Sequence, residues 1–128
     1  MATNLEIQVL PSGAYTETKD VRLDNLNGSR GTLVVVVTAA ANRANFSPVI
    51  RRVDRSGNTT DILIGQPILG PGTYEYRVDP DLPVDDPDED EFDDNQARAL
   101  LPRGLSILFR QNNGAVSMTM SAQLHISE

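Results

Sequence analysis

Val116-Ser117-Met118-Thr119-Met120-Ser121-Ala122-Gln123-Leu124-His125-Ile126 is the stretch whose reading decides the fold. Its even-numbered residues are all apolar, and from Ser117 to His125 its odd-numbered ones are all polar. That period of two belongs to an extended chain with one face in a core and the other in water. A register slip of one residue would turn every apolar side chain outward, so the pattern also fixes which face is buried. Val116, Met118, Met120, Leu124 and Ile126 are the expected core positions.

The same pattern recurs on either side. Leu105, Ile107 and Phe109 alternate just upstream, joined to the last strand across Asn112-Asn113-Gly114. Thr73–Val78 places Tyr74, Tyr76 and Val78 on one face and Glu75 and Arg77 on the other. Val49–Asp54 runs to the turn Ser56-Gly57-Asn58, and Ile62 and Ile64 mark a strand closed by Gly65, Pro67 and Gly70-Pro71-Gly72. Near the start, Leu5, Ile7 and Val9 alternate with Glu6 and Gln8, and Val21 and Leu23 alternate with charged neighbours. The segment Thr32–Thr38 is different, because its four consecutive valines are apolar on both faces. Such a strand is either central and buried on both sides or lies at a contact between copies. About eight strands with turn signals between them read as an all-β, antiparallel β-sandwich, jelly-roll or Ig-like. Only 94–101 reads as a turn or two of helix, ending before Pro102.

Composition narrows function by exclusion. The chain has 128 residues, the size of one domain, and contains no cysteine, no tryptophan and one histidine. Disulfide frameworks, thiolate metal sites and thiol catalysis are therefore excluded. His125 sits on the polar face of the last strand, so it reads as exposed, and any triad would depend on it alone. No glycine pattern makes a phosphate loop. The longest uncharged apolar stretch, Leu33–Ala41, is about half of a bilayer-spanning helix. The first residues carry no secretion-signal pattern. The expectation is a non-enzymatic protein with no cofactor, no metal, no membrane contact and no nucleic-acid partner.

Charge is concentrated. Residues 79–94, DPDLPVDDPDEDEFDD, hold ten carboxylates and no base. With a net charge of −7 overall, that leaves about +3 on the remainder. Prolines at 80, 83 and 87 and like-charge repulsion keep such a segment extended and solvated. Asp85, Asp86, Asp88, Glu89, Asp90 and Glu91 are its acidic surface. Asp86, Asp88 and Asp90 fit the first liganding positions of an EF-hand. Glu91, however, replaces the turn glycine and Ala97 the closing glutamate, so no calcium loop is expected. Ten of the eleven bases are arginine, and Arg43, Arg51, Arg52 and Arg55 gather around one strand. They read as a possible interface for a carboxylate on another subunit, beside the plainer reading of pairing with Asp54 and Asp61.

From Thr32 to Ile126 the chain resembles small β-sandwich structural proteins of tailed bacteriophages, some of which are capsid decoration, or cement, proteins. The resemblance is carried by the order of its elements. These are Leu33–Ala40 (LVVVVTAA), Ser47-Pro48-Val49-Ile50 running to Asp54, Ile62-Leu63, Gly70–Val78, and Leu101-Pro102-Arg103 before an apolar strand. The closing alternating strand completes the series. The acidic insertion at 79–94 departs from that pattern, as does Gly104-Leu105 where a large aromatic is expected. The resemblance implies a virion protein on the capsid surface, made in the host cytoplasm. Its partners would be a major capsid protein and copies of itself, as a trimer or dimer. A tail or head–tail joining protein and a carbohydrate-binding β-sandwich module are the alternatives. Residues 1–31 lie outside the resemblance and read as an N-terminal hairpin or arm before a sandwich over 32–128.

Overall fold

Two packed β-sheets form the protein, described by a computed structural model over residues 5–25, 28–81, 95–114 and 116–127. Among these residues there are nine strands and no helix. They are β1 (Leu5–Tyr15), β2 (Lys19–Asp24), β3 (Arg30–Ala40), β4 (Phe46–Val53) and β5 (Thr59–Ile64). β6 (Gly72–Val78), β7 (Gln96–Ala97), β8 (Gly104–Gln111) and β9 (Met118–Ser127) follow. One sheet has the order β1-β9-β3-β6-β7 and the other β2-β8-β4-β5. The β-sandwich expected from the alternation is the observed fold. All pairs are antiparallel except β6 with β7, which run parallel.

Inward positions follow the sequence pattern. Met118, Met120, Ala122, Leu124 and Ile126 of β9 face Leu33, Val35 and Val37 of β3, and all are buried. Phe46, Ile50, Leu105, Ile107 and Phe109 come to meet them from the second sheet. Val116 is the exception among the expected core positions: it precedes β9 and is only partly buried. In β1 the alternation breaks, because Val9 and Leu10 are both in the core. A register shift between Gln8 and Leu10 explains it, one extra residue turning two neighbours the same way.

Three expectations change. The N-terminal residues form neither an arm nor a hairpin of their own. β1 pairs with β9 in one sheet and β2 with β8 in the other, so the segment crosses the sandwich and supplies an edge strand to each layer. The helical reading of 94–101 also fails, because Gln96–Ala97 extends along the edge of β6 instead. The pairing is reinforced by Arg77 N–H to the Asn95 carbonyl at 2.7 Å and Asp79 N–H to the Ala97 carbonyl at 3.0 Å. Finally, the glycine at 104 has a local reason. A Cβ there would lie 2.4 Å from the Val53 carbonyl oxygen, so any side chain would force β8 away from β4.

Candidate functional site

On the outer face of the four-stranded sheet, register aligns Asp20, Leu108, Val49 and Ile64 in one row and Arg22, Ser106 and Arg51 in the next. These residues are bound to one another. Arg51 Nη2 donates to the Ser106 hydroxyl at 2.8 Å and to Asp20 Oδ2 at 3.2 Å, and Ser106 Oγ donates to Asp20 Oδ1 at 2.5 Å. Arg22 adds a longer contact to the same carboxylate at 3.5 Å. Burial by itself would raise the Asp20 pKa. The Ser106 hydroxyl, then Arg51 and Arg22, outweigh it, and the carboxyl is held below its ordinary value.

This settles where the four arginines lie. Arg51 is largely buried and its partner is Asp20, not Asp54 or Asp61. Asp54 instead closes the β4–β5 turn, its Oδ1 accepting the Ser56 and Asn58 N–H groups at 2.9 Å each. Arg52 falls in the register of Leu105 and Thr60, one residue out of phase with Arg51, so it points to the opposite side of the sheet. Arg43 precedes β4 and Arg55 follows it, about 25 Å apart along an eight-residue strand and its flanks. Arg43 has a left-handed backbone, φ 69°, and its carbonyl accepts the Asn113 side-chain amide at 2.7 Å. The four do not form one patch.

A second arginine–aspartate cluster stands at one end of the five-stranded sheet. Asp79 exposes 2% of its side chain, shielded by its own partners near the surface and not by depth. Arg77 Nη2 donates to its Oδ2 at 2.9 Å, and Arg30 lies 3.7 Å from its Oδ1. Arg30 also holds Asp81 at 2.6 Å. The Asp81 backbone N–H, at 2.9 Å, is the chief cause of a lowered Asp79 pKa; burial opposes it, and the two guanidinium groups add to the lowering. The first two carboxylates of the acidic run are therefore anchored by bases from β3 and β6, and Asp79 does not face solvent. Asp85, Asp86, Asp88, Glu89, Asp90 and Glu91 lie outside the described residues. Arg77–Asp79 was legible, since residues two apart share a strand face; Arg30 had no signal, being far away in sequence.

Beside this cluster a groove of about 760 Å³ is lined by Glu6, Arg30, Glu75, Arg77 and His125, among others. His125 is half-exposed, its Nε2 4.0 Å from Glu6 Oε1. Among the described residues no group of three or more His, Asp or Glu is placed to hold a metal ion, and no helix is long and apolar enough to cross a membrane. The groove carries charge of both signs, with Arg30 and Arg77 bound to Asp79 and Asp81 and Glu6 beside His125. Of the aromatics, Tyr76, Phe46 and Phe109 are fully buried. Tyr74 is partly buried against the core, its hydroxyl donating to the Gly70 carbonyl at 2.7 Å. Tyr15 packs similarly, bonded to the Pro11 carbonyl. No ring platform for a sugar stands among the described residues.

The remaining feature is the valine run. β3 is central in its sheet, yet from Thr32 to Thr38 only Leu33, Val35 and Val37 are enclosed. Thr32, Val34, Val36 and Thr38 point outward, and Val36 is 38% exposed. Flanking them are Ser121, Gln123 and His125 of β9 and Thr73, Glu75 and Arg77 of β6. Among the described residues no third layer covers this face.

Comparison with known proteins yields little. No family model matches the chain, and no curated protein matches it. Among solved structures it is similar to a chain in "Structure of infectious bursal disease virus Gx strain", at 12% identity and a TM-score of 0.48. The match covers 99% of this chain and 33% of that one, so this chain spans about a third of its neighbour's length. A likeness at this level carries no inference about role.

Proposed function

We propose that this protein is a non-enzymatic structural protein of a virion, acting as a capsid decoration protein on the outside of a phage head. The observation that carries the reading is the outward half of the valine run. Val34 and Val36 point outward from a central strand, and among the described residues no third layer covers them, as a docking face requires. The sandwich itself supports the reading, because the N-terminal segment adds an edge strand to each sheet and so ties the two layers together. The resemblance of the sequence from Thr32 to Ile126, in the order of its elements, to small β-sandwich proteins of tailed phages also favours the reading. On a shell, many modest contacts made at once give stable attachment. The acidic run, on many copies, gives the particle a negative outer coat that resists non-specific association.

The test is electron microscopy of heads from the matching phage, prepared with and without the purified protein. The decoration reading expects added density at symmetry points on the outer surface and heads that resist heat or low salt better. Density confined to the tail or the portal vertex would replace it with the joining-protein reading. No density anywhere would refute a virion role.

A further inference from the structure

We infer that the outer face of the five-stranded sheet is a self-association face, on which two copies pack sheet to sheet with Glu6 of each opposite Arg77 of the other. The inference deepens the proposed role by naming its self-contact, and rests on that role only for its use on a particle. It starts from register. Glu6 pairs with His125, His125 with Thr32, and Thr32 with Arg77, so these four form one row across β1, β9, β3 and β6. The next row is Gln8, Gln123, Val34 and Glu75. Beyond it lie Ser121, Val36 and Thr73, with no charge.

The charges are placed symmetrically about one line. Between β9 and β3, the line has β1 and β6 at equal distances on either side, about 7 Å at ordinary strand spacing. A two-fold axis along that line sets β1 of one copy over β6 of the other, and β9 over β3. Glu6 then meets Arg77 twice, in both directions. Glu75 meets the neutral amide of Gln8, Val34 meets Gln123, and Val36 meets Ser121. No like charges are opposed. Arg77 remains 51% exposed beside Asp79, so it has nitrogens to give a second carboxylate, and Glu6 is 58% exposed. Sheets packed face to face sit about 10 Å apart, within reach of glutamate and arginine side chains together.

The patch is small. Four strands by three or four rows make about 400 Å² per copy, at the low end for a specific contact. A weak, salt-sensitive dimer is expected, and an array on a shell would reinforce it. Sedimentation velocity across a concentration series tests this without any shell. The unmodified protein should shift from monomer to dimer as concentration rises, and shift back in high salt. Glu6→Arg should weaken association about tenfold, since it turns two attractive pairs into repulsive ones. Glu6→Arg with Arg77→Glu should restore it. Arg77 also holds Asp79, so thermal melting checks that the double variant folds. Should it not, Gln8→Lys supplies the other arm, because it faces Glu75 and should strengthen association. A protein monomeric at every concentration, or Glu6→Arg and Gln8→Lys both dimerising like the parent, would overturn the pairing. Either result would leave shell attachment to its own test by microscopy.

Discussion

The two outer faces of the sandwich start from similar material and end differently. Each carries apolar residues at outward positions: Val49, Leu108 and Ile64 on the four-stranded sheet, and Val34 and Val36 on the five-stranded one. On the first, Val49 is 0% and Leu108 8% exposed, although no third layer is described over them, while Ile64 on the edge strand β5 is 56% exposed. Beside them Arg51 and Ser106 of the next row are locked to Asp20 of the same row. On the second, Val34 stands between Gln123 and Glu75 and Val36 between Ser121 and Thr73, and Val36 stays 38% exposed. The first face holds Arg51 to Asp20 with Arg51 only 15% exposed, whereas on the second Glu6 and Arg77 keep more than half of their side chains exposed beside His125 and Asp79. Outward apolar residues stay open on both sheets, at Val36 and at Ile64, so exposure alone does not choose a docking face, and the proposed self-contact rests on where Glu6 and Arg77 stand around the centre of the five-stranded sheet.

The sharpest way to break this comparison is to charge each side of the same sheet. Met120 is 1% exposed and opposite Val37, so Met120→Asp buries an unpaired carboxylate and should cost about 3–5 kcal/mol, unfolding most of the protein. Val36→Asp, on the neighbouring strand facing outward, should cost about 1 kcal/mol or less. Melting curves that rank the two equally would mean both sides of β3 are core.

Next in size is the Asp20–Ser106–Arg51 cluster. Arg51→Ala removes two hydrogen bonds to buried Ser106 and the partner of Asp20, and should cost about 1–2 kcal/mol by denaturant titration. No loss would mean that the cluster is decoration on an independently stable sheet.

Acid should then reveal both aspartates. Asp20 and Asp79 have folded-state pKa values below the ordinary 3.8, so each binds its proton more weakly folded than unfolded. Their stabilisation is present in full above that value and fades as pH falls through it toward the lowered ones. Stability should be flat from neutral to about pH 5 and fall below pH 4. Asp20→Asn should make that fall shallower, because one proton-linked group is gone. An unchanged acid limb would remove Asp20 from the account.

The smallest effect is expected from the acidic run. Replacing residues 82–94 with a short Gly/Ser linker leaves Asp79, Asp81 and Asn95 in place. The melting temperature should hold within error, while electrophoretic mobility toward the anode drops. Loss of self-association or shell attachment would make those carboxylates a binding element.

The strand pattern was readable because burial on one face writes period two directly into the residues, as in Met118–Ile126 and Thr73–Val78. Where two residues share a face through a bulge, as Val9 and Leu10 do, that period is locally erased. The placement of β1 and β2 in different sheets left no mark, since partner choice between distant strands is set by three-dimensional packing. The arginine patch misled for a related reason. Arg51 and Arg52 are adjacent in sequence, and adjacent strand residues point to opposite faces. The open half of the valine run was visible as an alternative, a contact between copies, but only the layers could show which half stays open.

The most direct test of the central claim compares the two faces in one experiment. Val36→Asp and Ile64→Asp each place a carboxylate at an exposed outward position, Val36 at 38% and Ile64 at 56% exposure, on opposite sheets. Sedimentation velocity at a concentration where the unmodified protein dimerises should find Val36→Asp monomeric and Ile64→Asp unchanged. If Ile64→Asp is the variant that falls apart while Val36→Asp still dimerises, the assembly face is on the other sheet.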